Sequence, residues 1–327
     1  MKTKKITLAK KKQKEIPIFF ATDDNYMPFL DVSINSIITN ASKKYKYIIN
    51  VLNTGLRKEN VDIVKRQENK NFTINFVDIS EAVEGLKDKL KNVYHFGLAT
   101  YYRLFIQSLF PQYSKVLYLD CDLVVLGDIS KLYNTNMGDN IIAAIPDQVI
   151  AGKEEFRQYT SIALGIQHQN YINAGVMLMN LDKFREHNIE NKFAYLVEHY
   201  NFDTIAPDQD YINVLCNGKI KYLPNGWNKA ALQNKTEGEL NLVHYCLYKK
   251  PWQVDDVING SHFWEYAQKS PFASKIKEIK ATFTDEDKAK KERANIQIVD
   301  HALKIINSTN TFNNIVFGQK VLNNCNI

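Results

Sequence analysis

Continuous apolar runs alternate with amphipathic stretches along most of the chain. IPIFFAT (16–22) is a short continuous apolar run, the pattern of a strand buried on both faces, and KYIINVLN (46–53) and FTINFVDI (72–79) read as the next two strands. After the first, Pro28 opens a helical pattern with Leu30, Ile34, Ile37 and Ile38 on one side, and proline suits a first helical turn. Leu56, Val61 and Val64 mark a second, highly charged helix. A polar helix is expected to run to about Lys91, and LATYYRLFIQSLF (98–110) reads as another, stopped by Pro111. KVLYL (115–119), IIAAIP (141–146) and AGVMLMNL (174–181) are further strands, and KFREHNIENKFAYLVEHY (183–200) is helical. NLVHYCLYKKPW (241–252) starts as a strand and ends in a Lys-Lys-Pro turn. The polar stretch 147–171 is expected as a loop or small helices over a site. Strand–helix alternation with short connections predicts an α/β fold with a mainly parallel central sheet flanked by helices. From about residue 270 the chain turns to Lys, Asn and Glu. Ile296, Val299, Leu303 and Ile306 recur there at helical spacing, the mark of a C-terminal helical appendage.

A length of 327 residues suits one large domain or two small ones. The formal net charge of +6 could suggest a nucleic-acid partner, but its distribution argues against one. Residues 1–15 hold seven lysines and one glutamate, which accounts for the whole excess. The basic charge is thus an N-terminal arm: a solvated tail or, less often, a contact for anionic lipid. Beyond residue 270, nine Lys/Arg stand against six Asp/Glu, a mild balance that leaves room for peripheral membrane contact. Cys121, Cys216, Cys246 and Cys325 form no C-x-x-C pair and no zinc spacing. With no secretory signal in view, free thiols and a cytoplasmic location are expected. No apolar stretch is long enough to cross a bilayer.

The chemistry begins at VLYLDCDLVV (116–125), where Asp120 and Asp122 interrupt an apolar run. In an extended chain, residues two apart point to the same side, so the pair presents two carboxylates together. Left unpaired at a buried strand end, each costs several kcal/mol or protonates. A divalent cation relieves that repulsion and shares its remaining positions with substrate phosphates. Aspartate is also common at turns, but here the chain returns to apolar residues directly after Asp122. A second polar crest, FATDDNY (20–26), ends the first strand, where Asp24 or Asn25 could instead cap the next helix. In open α/β sheets, the crevice beyond the carboxyl ends of the strands binds ligands.

FATDDNY, YYRLFI, YLDCDLVVLGDISKLY, YINAGVMLMNL, PDQDYIN and VHYCLYKKPW occur here in the order and spacing of one family. The chain resembles the family 8 glycosyltransferases, retaining enzymes of the GT-A nucleotide-diphosphosugar type, over residues 16–268. Bacterial lipopolysaccharide galactosyl- and glucosyltransferases are the nearest members. The resemblance implies a UDP-sugar donor, a glycan or glycolipid acceptor, and Mn²⁺, with Mg²⁺ as the alternative. It implies Asp120, Asp122 and His244 as metal ligands, with Asp120 also reaching the ribose. Ala21, Asp23, Asn25 and Tyr26 match nucleotide-binding positions, and Lys250 matches a lysine on the diphosphate. Arg103, Asp147, Asn173 and Asp208 match donor-sugar positions. Gln209 matches the residue below the anomeric carbon, with Asp208 beside it. Each has a structural alternative: a core histidine for His244, a buried ion pair for Arg103, turns for Asp147 and Asn173.

One departure stands out. The family often carries a glycine just after its HY or HF segment, whereas this chain has Leu247. A rival reading is a haloacid-dehalogenase-type phosphatase, since LDCDLVV fits its nucleophile motif. That family expects the motif near the start of its domain and a later acidic pair, and PDQD serves poorly as one. A sugar-binding scaffold without catalysis is disfavoured because Asp120, Asp122, His244 and Lys250 are all present.

Overall fold

The computed structural model describes residues 13–87, 90, 98–246 and 248–324. Most of the basic arm, together with Leu247 and Cys325, lies outside the described residues. Strands β1 (Glu15–Ala21), β2 (Lys46–Asn53) and β3 (Phe72–Asp78) fall on the first three apolar runs. They are followed by β4 (Lys115–Leu119), β5 (Leu123–Val125), β6 (Ile142–Pro146), β7 (Ile172–Asn180) and β8 (Ile220–Tyr222). The short β9 (Lys229–Ala230) and β10 (Leu242–His244) complete the set.

Seven strands make the central sheet in the order β3-β2-β1-β4-β7-β6-β8. Pairing is parallel through β3-β2-β1-β4 and again for β6 with β8. β7 alone runs antiparallel to its neighbours, β4 and β6. Apolar residues alternate between the two faces: Ile16, Ile18 and Phe20 of β1 enter one core, while Phe19 enters the other. The helix Met27–Asn40 covers the first of these, with Met27, Leu30, Ile34 and Ile37 buried and Pro28 in its opening turn. β7 starts two residues earlier than expected, so Asn173 and Gly175 lie inside a strand and not in a turn before it. The β6–β7 register shifts between Ala144 and Ile145, beside that point.

The stretch 98–110 is not one α-helix. Leu98–Phe105 winds as a 3-10 helix and only Ile106–Leu109 is α-helical. The tighter winding places position i over i+3, and Arg103 Nε accordingly donates to the Thr100 carbonyl at 2.9 Å. The polar stretch 147–171 forms short helices, Gln148–Ala151 and Glu154–Gln158, a π-turn Tyr159–Ala163, and a 3-10 turn His168–Asn170.

The C-terminal segment is helical, and half of the expected stripe, Val299 and Ile306, packs against the core, while the other half does not. Asp285–Ile306 opens on a capping box between Thr284 and Asp287. Ala302 and Ile305 are buried and Ile298 is partly so, whereas Ile296 is 61% exposed and Leu303 38%. A small side chain at 302 lets the helix approach closely, and no count of large apolar residues reveals that. Phe312 then enters the main core, with ring centroids 4.0 Å from Phe202 and 4.9 Å from Tyr211. Phe312→Ala is therefore expected to destabilise the whole protein by about 3–5 kcal/mol in urea unfolding. A loss near zero would mean that this segment docks without contributing to the core.

Candidate active site

β4 ends at Leu119, and Asp120–Asp122 turn the chain into β5. β5 pairs antiparallel with β10 so that Leu123 stands opposite His244. This pairing brings His244 Nε2 to 3.0 Å from Asp122 Oδ1 and 3.8 Å from Asp120 Oδ2. One ligand atom from each of the three residues lies within 4.8 Å of the others. Cys121, between the aspartates, points away and reaches the Ala21 carbonyl. Ser33, on the helix Met27–Asn40, bonds the Cys121 and Leu123 carbonyls at 2.7 and 2.6 Å and braces the turn from below.

Lys250 closes the cluster, with Nζ 2.6 Å from Asp122 Oδ2 and a second bond to the Tyr245 carbonyl. Burial works against charge on Asp122, but Lys250 and His244 outweigh it and hold the carboxyl well below the usual carboxylate range. Burial likewise disfavours the Lys250 ammonium, and Asp122 outweighs it, raising its pKa above the ordinary lysine value.

A chain of amides orients the histidine. Asn173 Oδ1 accepts the Gly175 N–H at 3.0 Å, and Asn173 Nδ2 donates to Asp147 Oδ2 at 3.1 Å. Asn228 must therefore present its Nδ2 to Asn173 Oδ1, at 2.9 Å, and its Oδ1 to His244 Nδ1, also at 2.9 Å. Nδ1 therefore donates to Asn228, and Nε2 is the nitrogen turned to the two carboxylates. Two carboxylates and one such nitrogen form a donor set that fits a divalent transition ion. Gly175 keeps the cradle open: a Cβ there would lie 2.3 Å from His244 Cε1 and 2.6 Å from Asp120 Oδ2.

Arg103 forms the other half of the site. It is buried, with Nη2 2.9 Å from Asp120 Oδ1, Nε 3.0 Å from Asp208 Oδ2, and its guanidinium over the Tyr118 ring. The Nε hydrogen is directed at Thr100, so buried Asp208 Oδ2 receives charge contact without a hydrogen bond of its own. Burial pushes the Asp208 carboxyl up, partly offset by Arg103 and Thr100. Its neighbour Gln209 is locked: Oε1 accepts the Ala174 N–H at 3.0 Å, and Nε2 donates to Asp147 Oδ2 at 3.0 Å and meets the Tyr171 hydroxyl at 3.2 Å. Asp210 faces the core instead, where the Tyr171 and Tyr159 hydroxyls donate to it at 2.6 and 2.8 Å.

Residues 17–256 match the family model described as glycosyl transferase family 8. The chain belongs to glycosyl transferase family 8. The lipopolysaccharide 1,2-glucosyltransferase of Escherichia coli K12 is 28% identical, over 78% of this chain and 78% of its own. Among solved structures, the galactosyltransferase LgtC, held with donor and acceptor sugar analogs, is 28% identical. It superposes with a TM-score of 0.66 over 78% of this chain and 96% of its own. The apo bifunctional glycosyltransferase WbbM superposes at 0.71, covering 84% of this chain and 53% of that one, at 24% identity. The fold is GT-A, and with the family known the phosphatase reading of the aspartate pair falls away.

This family 8 chain brings together Arg103, Asp120, Asp122, Asp147, Asn173, Asp208, Gln209, His244 and Lys250. The first strand end is arranged more locally. Asp23 Oδ1 accepts the N–H groups of Asn25 and Tyr26, and Asp24 binds Asn60 Nδ2 and the Arg57 N–H. Ala21 ends β1, and Tyr26 lies within electrostatic reach of Lys250 and Asp122. Both oxygens of Asp147 are occupied, since Oδ1 caps the helix Gln148–Ala151 while Oδ2 holds Asn173 and Gln209. Asn228 was missed from sequence: it sits in NGWNK, a loop with no period or acidic cluster to mark it.

Gly175→Ala should weaken divalent-ion binding at least tenfold in calorimetry while the far-ultraviolet spectrum stays native. Wild-type affinity in that variant would show that the cradle is not where the ion sits. Asp210 gives a second test. Burial pushes its carboxyl up to about 7, above its value in the unfolded chain. The folded state therefore binds this proton more tightly, and the stability it confers is complete below about pH 4 and lost as pH rises through 7. Between pH 5 and 8 the wild type should lose a few kcal/mol that Asp210→Asn does not. Parallel pH profiles of the urea midpoint would reject this.

Proposed function

We propose that this family 8 glycosyltransferase moves a hexose, galactose or glucose, from a UDP-sugar to a glycan or glycolipid acceptor, with retention at the anomeric carbon. The observation that carries the reading is the convergence of Asp120, Asp122 and His244 Nε2 beside the cation of Lys250. Mn²⁺, or Mg²⁺ in its place, would be held by Asp120, Asp122 and His244 and would supply Lewis acidity toward the departing diphosphate. Lys250 would add a point charge to the same phosphates. Ala21, Asp23, Asn25 and Tyr26 at the end of β1 would meet the nucleotide. Arg103, Asn173 and Asp208 would hold sugar hydroxyls, and the unbonded Asp208 Oδ2 is suited to accept one. Asp147, with both oxygens engaged, would act by positioning Asn173 and Gln209.

A double displacement needs a free carboxylate beneath the anomeric carbon. Gln209 is an amide whose oxygen already accepts an N–H. Asp208 is paired to Arg103, and Asp210 is turned into the core. These engagements favour front-face attack, with the acceptor hydroxyl arriving on the leaving-group side and its proton passing to the departing phosphate oxygen. Gln209 would steady the positive charge on the ring. The names of the relatives favour a lipopolysaccharide-type acceptor. No helix among the described residues is long and apolar enough to cross a membrane, so lipid contact would be peripheral, at the inner face of the membrane.

Turnover of UDP-galactose and UDP-glucose, followed by NMR with and without Mn²⁺, tests this reading. An α-linked product is expected, with activity falling on the order of 100-fold in EDTA or in Asp122→Asn. A β-linked product, or full activity without metal, would overturn it.

A further inference from the structure

Two residues within the quoted motifs have no role so far: Tyr171 of YINAGVMLMNL and Asp210 of PDQDYIN. Both are fully buried. A carboxylate in such a place is costly unless donors reach it. Three do. The Tyr171 hydroxyl lies 2.6 Å from one oxygen, and the Tyr159 hydroxyl and the Ala206 N–H lie 2.8 and 3.2 Å from the other. Apolar side chains of similar size would fill this space without that demand, so packing alone does not call for the set.

The Tyr171 hydroxyl is where the set meets the site. A hydroxyl has one hydrogen, and this one goes to Asp210. Toward Gln209 the same oxygen is therefore an acceptor, and Gln209 Nε2 donates to it at 3.2 Å. The other Nε2 hydrogen goes to Asp147 Oδ2 at 3.0 Å, and the Ala174 N–H takes one of the two lone pairs of Oε1. With both N–H groups held, the amide has a single orientation. Turned over, its oxygen would face the Asp147 carboxylate and a hydroxyl with no hydrogen to give.

The backbone sets these groups together. Tyr171 stands just before β7, and its carbonyl accepts the Asp147 N–H at 2.8 Å. Asn213, one turn after Gln209, is buried and clips the helix Pro207–Leu215 to β7. Its Oδ1 accepts the Ile172 N–H at 2.7 Å, and its Nδ2 donates to the Ile172 carbonyl at 2.9 Å. Tyr171 thus governs Gln209 twice: through its own hydroxyl, and through the backbone of Asp147, the other acceptor of the amide.

We infer that Tyr171 is a positioning residue for the transfer reaction: its hydroxyl, committed to Asp210, holds the Gln209 amide in the one orientation that leaves Oε1 for the reacting sugar. The inference rests on the role given to Gln209 under the donor reading above. Tyr171 acts through Gln209 and needs no contact with the sugar.

Turnover of UDP-galactose or UDP-glucose by the full chain in saturating Mn²⁺ tests it, at about pH 8, where Asp210 is ionised. Tyr171→Phe should lower kcat roughly tenfold and leave KM within about twofold, the mark of an interaction that counts only in the transition state. Tyr159→Phe is the control. It takes the other hydroxyl from Asp210 but no bond from the Gln209 side chain, so it should lower the melting temperature as much as Tyr171→Phe and keep kcat. Added to Gln209→Ala, Tyr171→Phe should cost nothing further. A last readout needs no variant at 171: in wild-type NMR, the Gln209 side-chain amide hydrogens, assigned by their loss in Gln209→Ala, should exchange more slowly than those of exposed glutamines. Wild-type kcat in Tyr171→Phe would overturn the inference. So would equal losses of kcat in the two phenylalanine variants, full additivity with Gln209→Ala, or Gln209 hydrogens that exchange as fast as exposed ones. A wild type that turns over neither sugar would sink the donor reading, and this inference with it.

Discussion

A carboxylate buried as deeply as Asp122 persists as an anion only where both of its oxygens meet positive or proton-bearing partners. Here Lys250 takes one oxygen and His244 the other. Much of the surrounding architecture follows from meeting that demand. β5 and β10 pair so that His244 arrives opposite Leu123, next to Asp122. The Tyr245 N–H donates to the Asp122 carbonyl, and the Tyr245 carbonyl accepts from Lys250. The same short strand pair thus delivers the histidine, the backbone brace and the start of the lysine loop. Removing Lys250 would leave the Asp122 charge stranded in a poorly solvated place.

The aspartate pair is also shared between two electrostatic neighbourhoods. Asp122 looks toward His244 and Lys250, while Asp120 looks toward Arg103, which in turn engages Asp208. Arg103 is reached from a 3-10 turn, and its buried guanidinium is covered by the Tyr118 ring. A chain of charges therefore runs from the lysine loop through both aspartates to the helix Pro207–Leu215. On the far side, amides finish the job: Asn228, Asn173 and Gln209 fix one another's orientation through Asp147. A rigid amide frame of this kind fixes the orientation of a histidine ring without spending another charge.

The elements beyond the family-matched region join this architecture. Phe312 is packed between Phe202 and Tyr211, and Ala302 and Ile305 lie in the same core as the helix Pro207–Leu215. The helix Asp285–Ile306 also covers the segment 154–163, which follows the aspartate that orients Gln209. Packing thereby couples the C-terminal segment to the short helices that follow Asp147.

From sequence alone, most central strands were legible as short, mainly apolar runs, a signal that does not depend on partners, whereas the three-residue edge strand β8 was not. The aspartate pair was legible for the converse reason: two charges inside such a run demand an explanation. Motif order then pointed to His244, Lys250, Arg103 and Gln209, and the fold brings them together. What only the tertiary structure decided concerns relations between distant segments. β10 falls where NLVHYCLYKKPW was expected to start as a strand, but its partner β9, at two residues, is too short to carry a period, so the pairing that makes the small sheet had no local mark. The antiparallel course of β7 and the inward stripe of the last helix depend on which surfaces meet. Asn228 belongs to the same class: an asparagine in a loop looks ordinary until folding sets it against an imidazole. Local patterns record what a segment does with its own backbone and water; the charges and amides it will face are set by packing between segments far apart in the chain.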